Sequence, residues 1–241
     1  MIYIATCVGK HHSVSEDAVV AGSEVLTETM EELQMPEAGF ICVADGVGGN
    51  HGGADASSFV CNHLAAASIL KREEIRPFLV KTNERLITKA KENPGLAFMA
   101  TTLTGVYKLL DSYMLVHIGN TRAYVKQGKY LKQVTADHTT YNWLKSCGQQ
   151  DAAEASNKNE ITNCFGGNNP LLLGKLVVMD CQRFSLMLLT SDGVHEFVDL
   201  DTLEAILNGE GLYSDKCNEI IQTAKSAGSE DDMTVVILSR E

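Results

Sequence analysis

Apolar and polar positions along this chain alternate between two periods, and the switches between them mark out its elements. Positions 2–8 are mostly apolar and read as a first strand, followed by a polar loop that ends in Glu16-Asp17. Positions 18–21 resume as a strand. Positions 23–38 are a polar excursion around Pro36, read as loop or short helix, and 40–44 form a buried strand. The period then lengthens. Phe59, Val60, Leu64 and Ala67 share a helical face within 54–70, and Ile75, Leu79 and Leu86 share another within 73–91, which Asn93-Pro94-Gly95 ends.

After that the period shortens again. Runs at 100–109, 113–118, 122–126 and 130–134 are β-prone and separated by turns such as Asp111-Ser112 and Gln127-Gly128, which predicts an antiparallel meander. Polar helices are expected at 137–146 and 151–155, and the Asn- and Gly-rich stretch 157–170 is irregular, so about 140–170 reads as a flap. Strands at 176–179 and 184–189, helices near 199–207 and 214–227, and a strand at 233–238 complete the pattern. Segregated blocks of strands and helices predict an α+β fold of two antiparallel sheets packed together with helices outside. With no repeat, low-complexity segment or linker, 1–241 is expected to be a single domain.

Composition narrows the function. A chain of 241 residues that is 44 % hydrophobic can bury a large core, and a net charge of −11 argues against a broad basic surface for nucleic acid. The cysteines (Cys7, Cys42, Cys61, Cys147, Cys164, Cys181 and Cys217) are odd in number and contain no C-x-x-C pair, which points to reduced thiols. No basic segment leads into a long apolar one at the amino end, and no apolar run reaches membrane-spanning length. A cytoplasmic monomer is expected.

Several chemistries fail on spacing. No cysteine has an arginine six positions later, Gly46-Val47-Gly48 reaches His51 where a dinucleotide fingerprint needs glycine, and Gly174-Lys175 lacks the flanks of a P-loop. There is no H-E-x-x-H and no G-x-S-x-G. What stands out is three acidic positions, each at the end of an apolar run: Asp45 before a glycine loop, Asp192 in Thr190-Ser191-Asp192-Gly193, and Glu230-Asp231-Asp232 before the last strand. Carboxylates with a backbone carbonyl and water suit hard cations such as Mg²⁺ or Mn²⁺. Two ions sharing one carboxylate activate water for attack on phosphorus. Asp45, at a tight turn with the Gly46 carbonyl beside it, is the natural bridging ligand.

Taken in order, these motifs carry a resemblance. Ser15-Glu16-Asp17-Ala18, Asp45-Gly46-Val47-Gly48-Gly49, Thr101-Thr102, Gly119-Asn120-Thr121-Arg122, Ala136-Asp137-His138, Ser191-Asp192-Gly193 and Asp231-Asp232-Met233-Thr234 resemble the metal-dependent protein phosphatase family, the protein phosphatase 2C class, in its compact bacterial form. The resemblance implies an αββα sandwich with two Mn²⁺ or Mg²⁺ ions, and hydrolysis of phosphoserine and phosphothreonine in proteins that are targets of a serine/threonine kinase. Asp45 would then bridge the ions with the Gly46 carbonyl, Asp192 and Asp231 would complete the ligand set, and Glu16 and Asp17 would hold ion-bound waters.

The departures from that pattern are informative. His12 stands where the family has a phosphate-binding arginine, so substrate should bind more weakly and improve as pH falls towards 6. Asn120 replaces an aspartate associated with a third ion and puts that site in doubt. Asp232 replaces an asparagine, and is expected either to strengthen cation attraction or to be solvated. Val47 leaves no general acid at its position, and His51 is weighed as a substitute against ordinary loop polarity. Trp143 and Tyr141 are expected to pack onto the sheet, His138 to cap and orient a helix, His63 and His117 to lie in or beside the core, and Arg122 to be structural. Two rival readings share these residues: a phosphoprotein-binding relative with little activity, and a hydrolase of small phosphate esters.

Overall fold

The computed structural model describes residues 1–47, 52–110, 112–181 and 183–240. The strands in chain order are β1 (Ile2–Cys7), β2 (Asp17–Ala21), β3 (Glu24–Leu26), β4 (Met30–Leu33), β5 (Ala38–Asp45), β6 (Ala100–Thr101) and β7 (Leu103–Leu109). They continue with β8 (Ser112–Ile118), β9 (Arg122–Gln127), β10 (Tyr130–Gln133), β11 (Phe165–Gly166), β12 (Val177–Asp180), β13 (Leu186–Thr190) and β14 (Met233–Ser239). The helices are α1 (Gly53–Ala65), α2 (Ile75–Glu92), α3 (Thr140–Ser146), α4 (Gln150–Ala155), α5 (Asp192–His195), α6 (Leu200–Asn208) and α7 (Tyr213–Ser226).

Two six-stranded antiparallel sheets, ordered β10-β9-β13-β14-β1-β4 and β12-β8-β7-β5-β2-β3, form the middle layers. Strand alternation explains why they stack. On β5, Phe40, Cys42 and Ala44 face α1 and α2, while Ile41 and Val43 turn inward. On β14, Val235 and Ile237 face α6 and α7, while Val236 and Leu238 turn inward to meet Ile41, Val43 and Val106. Both faces of each central strand are therefore buried, which is why these strands read as continuous apolar runs. On α2, the buried positions Ile75, Leu79, Thr82, Leu86 and Ala90 follow the helical period. The expected αββα sandwich is present.

The structure departs from the sequence reading in three places. Positions 23–38 hold two strands: β3 pairs with β2, and β4 crosses to the other sheet to pair with β1. β4 is an exposed edge strand carrying Glu31 and Glu32, so it lacks the apolar signature of the central strands. The expected meander is split between the sheets. β7 and β8 form one hairpin, β9 and β10 another, and the chain changes sheets at Gly119. Gly119 has φ 106°, and a Cβ there would lie 2.5 Å from Thr102 Cγ2, so the crossover requires glycine. Within 157–170, β11 pairs with β6, whose Thr101 also bridges Gly46. The turn residue Asp111 lies outside the described residues; Ser112 opens β8.

Candidate metal centre

Both sheets deliver carboxylates to the same place. Asp45 ends β5 directly opposite Asp17, which opens β2; Asp192 follows β13 and Asp231 precedes β14, the strands being partners in the other sheet. Ser191 fastens the two sheets together here: its hydroxyl donates to Asp17 Oδ2 at 2.7 Å and accepts from the Thr234 N–H at 2.9 Å.

The backbone around each acid is pinned. The Asp45 N–H donates to Thr102 Oγ1 at 3.0 Å, and its carbonyl accepts from the Thr102 N–H and Thr101 Oγ1, both at 2.8 Å. The Gly46 N–H donates to the Glu16 carbonyl at 3.0 Å, and a Cβ on Gly46 would lie 2.5 Å from the Gly53 backbone. Gly193 packs as tightly against the loop before β14, since a Cβ there would meet the Asp232 carbonyl oxygen at 2.1 Å. These glycines let separate strands approach closely enough for their acids to share a centre.

Electrostatics make the case for a cation. Burial, then the charges of Asp192, Asp17 and Asp231, push the Asp45 carboxyl well above the usual carboxylate range. Burial with Asp232 and Asp192 does the same to Asp17, and burial with Asp231 and Glu196 raises Asp192 despite a hydrogen bond from Asn120 Nδ2 at 2.8 Å. Among the described residues no lysine or arginine forms an ion pair with Asp17, Asp45 or Asp192. Crowded carboxylates without an internal counter-ion repel one another, and a hard divalent cation resolves that repulsion. The donor set fits one. Among the described residues His12, Asp231 and Asp232 each bring one possible ligand atom within 4.8 Å of the others.

The family model described as Protein phosphatase 2C matches residues 32–233. The chain belongs to the protein phosphatase 2C family. Among its relatives, the serine/threonine phosphatase stp of Listeria monocytogenes is 30 % identical over 213 residues, covering 83 % of this chain and 84 % of that one. Protein phosphatase PhpP of Streptococcus pneumoniae is 26 % identical over 211 residues, covering 83 % and 85 %. In fold, the chain resembles the serine/threonine phosphatase Stp1 from Staphylococcus aureus, with a TM-score of 0.81 at 24 % identity over 100 % of this chain and 94 % of that one.

Within this protein phosphatase 2C sequence, the structure brings Asp192, Asp17 and Asp231 into electrostatic contact with Asp45. Glu16 sits slightly apart: its carboxylate lies under Gly53 at the start of α1, and burial raises it. Asp232 is not solvated, and its charge is among those that raise the Asp17 carboxyl. It is buried, with Oδ1 accepting from the Gly9 N–H at 2.7 Å and Oδ2 accepting from the Glu16 N–H at 2.6 Å and lying 2.9 Å from His12 Nδ1. It thus ties the loop before β2 to the loop before β14. Burial pulls the His12 imidazole down, but the Asp232 hydrogen bond and the charges of Asp232, Glu16 and Asp231 outweigh it and hold it above its ordinary value. His51, Gly48 and Gly49 lie outside the described residues.

Other expectations divide. Arg122 is structural as expected, gripping Asp137 with Nε and Nη2. His117 is buried, and His63 is half-buried against Phe59. Trp143 does not pack on a sheet: it is 50 % exposed on α3. Tyr141 stays within the flap, its hydroxyl donating to Glu154. His138 caps no helix; Thr139 does, while His138 Nδ1 accepts from the Gly119 N–H at the sheet crossover. The sequence motifs include Ser191 without giving it a role, and they do not include Glu196. A serine directly before a ligand-type aspartate was the available signal for the first.

Proposed function

We propose that this protein phosphatase 2C hydrolyses phosphoserine and phosphothreonine in proteins, with Asp45, Asp192 and Asp231 holding two divalent cations. The convergence of buried carboxylates from both sheets, with no lysine or arginine among the described residues paired to them, supports this reading most directly. Bound Mn²⁺ or Mg²⁺ supplies Lewis acidity that makes water a nucleophile at neutral pH and offsets phosphoryl charge.

The chain's own groups do the rest. Asp45, fixed by Thr101 and Thr102, would hold the cations together with the Gly46 carbonyl. Asp192 is held in one orientation by the Asn120 amide. Asp17, fixed by Ser191, and Glu16 accept hydrogen bonds from water at the centre and orient it. His12, fixed by Asp232, binds the substrate phosphate in place of an arginine and binds it better below neutral pH, because the charged imidazolium is the binding form. The same reading makes 1–241 one catalytic domain with its flap at about 140–170, acting as a cytoplasmic monomer on the products of a serine/threonine kinase. Among the described residues no helix is long and apolar enough to cross a membrane.

Phosphate release from a phosphothreonine peptide, with and without Mn²⁺, tests the proposal. Metal-dependent turnover that exceeds turnover of a small aryl phosphate is the expected result. Absence of turnover at any metal concentration between pH 6 and 9 would overturn it and leave a phosphoprotein-binding module.

A further inference from the structure

A cavity of about 480 Å³ opens beside the carboxylate centre, walled by the β9–β10 sheet end on one side and the flap on the other. Asn120 and Glu196 join it to the centre. Asn120 donates from Nδ2 to Asp192, and Glu196 lies one helical turn after Asp192, its N–H donating to the Asp192 carbonyl.

The cations lining this cavity are already engaged. Arg122 is committed to Asp137 through two nitrogens, and Lys158 sits over the Tyr141 ring, 3.7 Å from Glu154. Spare capacity lies with acceptors. Asn120 is only 3 % exposed, yet its Oδ1 has no hydrogen-bond partner among the described residues. Glu196 Oε2 accepts from Asn159 Nδ2 at 2.7 Å, and no described residue donates to Oε1. A buried, unpartnered amide oxygen on a residue that walls this polar cavity, and a carboxylate oxygen with no described donor on another, call for a multi-donor cation.

We infer that this cavity is a substrate subsite that accepts a lysine or arginine side chain lying within three residues of the phosphorylated residue. This rests on the phosphoprotein phosphatase reading above. A residue in extended chain advances roughly 3.3 Å, so a side chain two or three positions from a phosphate at the carboxylates reaches a cavity one helical turn away. The guanidinium or ammonium donates to Asn120 Oδ1 and Glu196 Oε1, and the chain's net charge of −11 favours the approach of a basic segment.

The test uses phosphothreonine peptides differing only by Arg, Ala or Glu at each of three positions on either side, with Mn²⁺ saturating. At one or two positions Arg should raise kcat/KM about five-fold over Glu, the scale of a partly exposed ion pair. Glu196→Gln should bring the two to parity, and Glu196→Arg should reverse the order, a result only a folded, active enzyme can give. Equal turnover of all peptides by the parent would overturn the inference while leaving the phosphatase intact. So would an Arg preference that survives Glu196→Gln, or a Glu196→Gln effect confined to the Mn²⁺ requirement and equal for all peptides. If no peptide is turned over, the phosphatase reading fails. Fluorescence anisotropy with phosphonate analogues of the same peptides then reads the preference directly, and equal affinities would overturn the subsite.

Discussion

Asp192 illustrates how a functional residue can be held at the expense of stability. Burial and the charges of Asp231 and Glu196 raise its carboxyl, opposed by the hydrogen bonds with the Asn120 amide and with Asp45. Asp192→Asn should therefore abolish metal-dependent phosphopeptide turnover by ~100-fold or more. In chelator it should raise the melting temperature, by roughly 2–4 °C for about 1 kcal/mol of relieved repulsion. Calorimetry of both proteins in EDTA checks the second half. Asp232 is the opposite kind of acid. Asp232→Ala leaves the Gly9 and Glu16 N–H groups and His12 Nδ1 without their acceptor, and at ~1–3 kcal/mol per buried donor the loss should be about 3 kcal/mol or more. Urea titration of the variant measures it. Sequence position could not separate Asp232 from its neighbour Asp231, because both precede β14 and only the packing of Gly9 against Glu230-Asp231 reveals which one faces inward.

Among the elements, those with two buried faces or a clear helical stripe were legible: β5, β13, β14, α2 and α7 all stand close to where hydropathy put them. What was not legible was partnership. Nothing in the apolar runs of β8 and β9 says that they belong to different sheets, since each run satisfies a sheet interior equally well. The information sits in Gly119, whose positive φ and contact with Thr102 turn the chain across the sandwich. Gly119→Ala should cost about 2 kcal/mol or more through backbone strain and the clash with Thr102. A Gly128→Ala control, also at positive φ but with nothing within 4 Å of its Cβ, should cost less. The difference between the two in chemical denaturation isolates the packing contribution. α5 escaped notice for another reason: at four residues it is too short for a period to register.

At the scale of the whole molecule, the carboxylates make stability depend on pH and metal together. Asp17, Asp45 and Asp192 have raised values in the folded protein, so above the ordinary carboxylate range of ~4 the metal-free fold binds more protons than the unfolded chain. Its stability from these groups is therefore present at low pH and lost as pH rises through the raised values. Cations that replace those protons reverse the trend. The rise in melting temperature on adding Mn²⁺ should be larger at pH 8 than at pH 6, and scanning fluorimetry at both values, with and without EDTA, checks it. The hydrogen bond from Ser191 to Asp17 carries a mechanical corollary. Because the centre draws half its acids from each sheet, its dimensions are set by how the two sheets lie against each other. A displacement of one sheet against the other would stretch the spacing of the acids much as opening a pair of calipers does. The sandwich interior is thus the gauge that fixes the reach of the site, and softening it far from any acid should blur that reach.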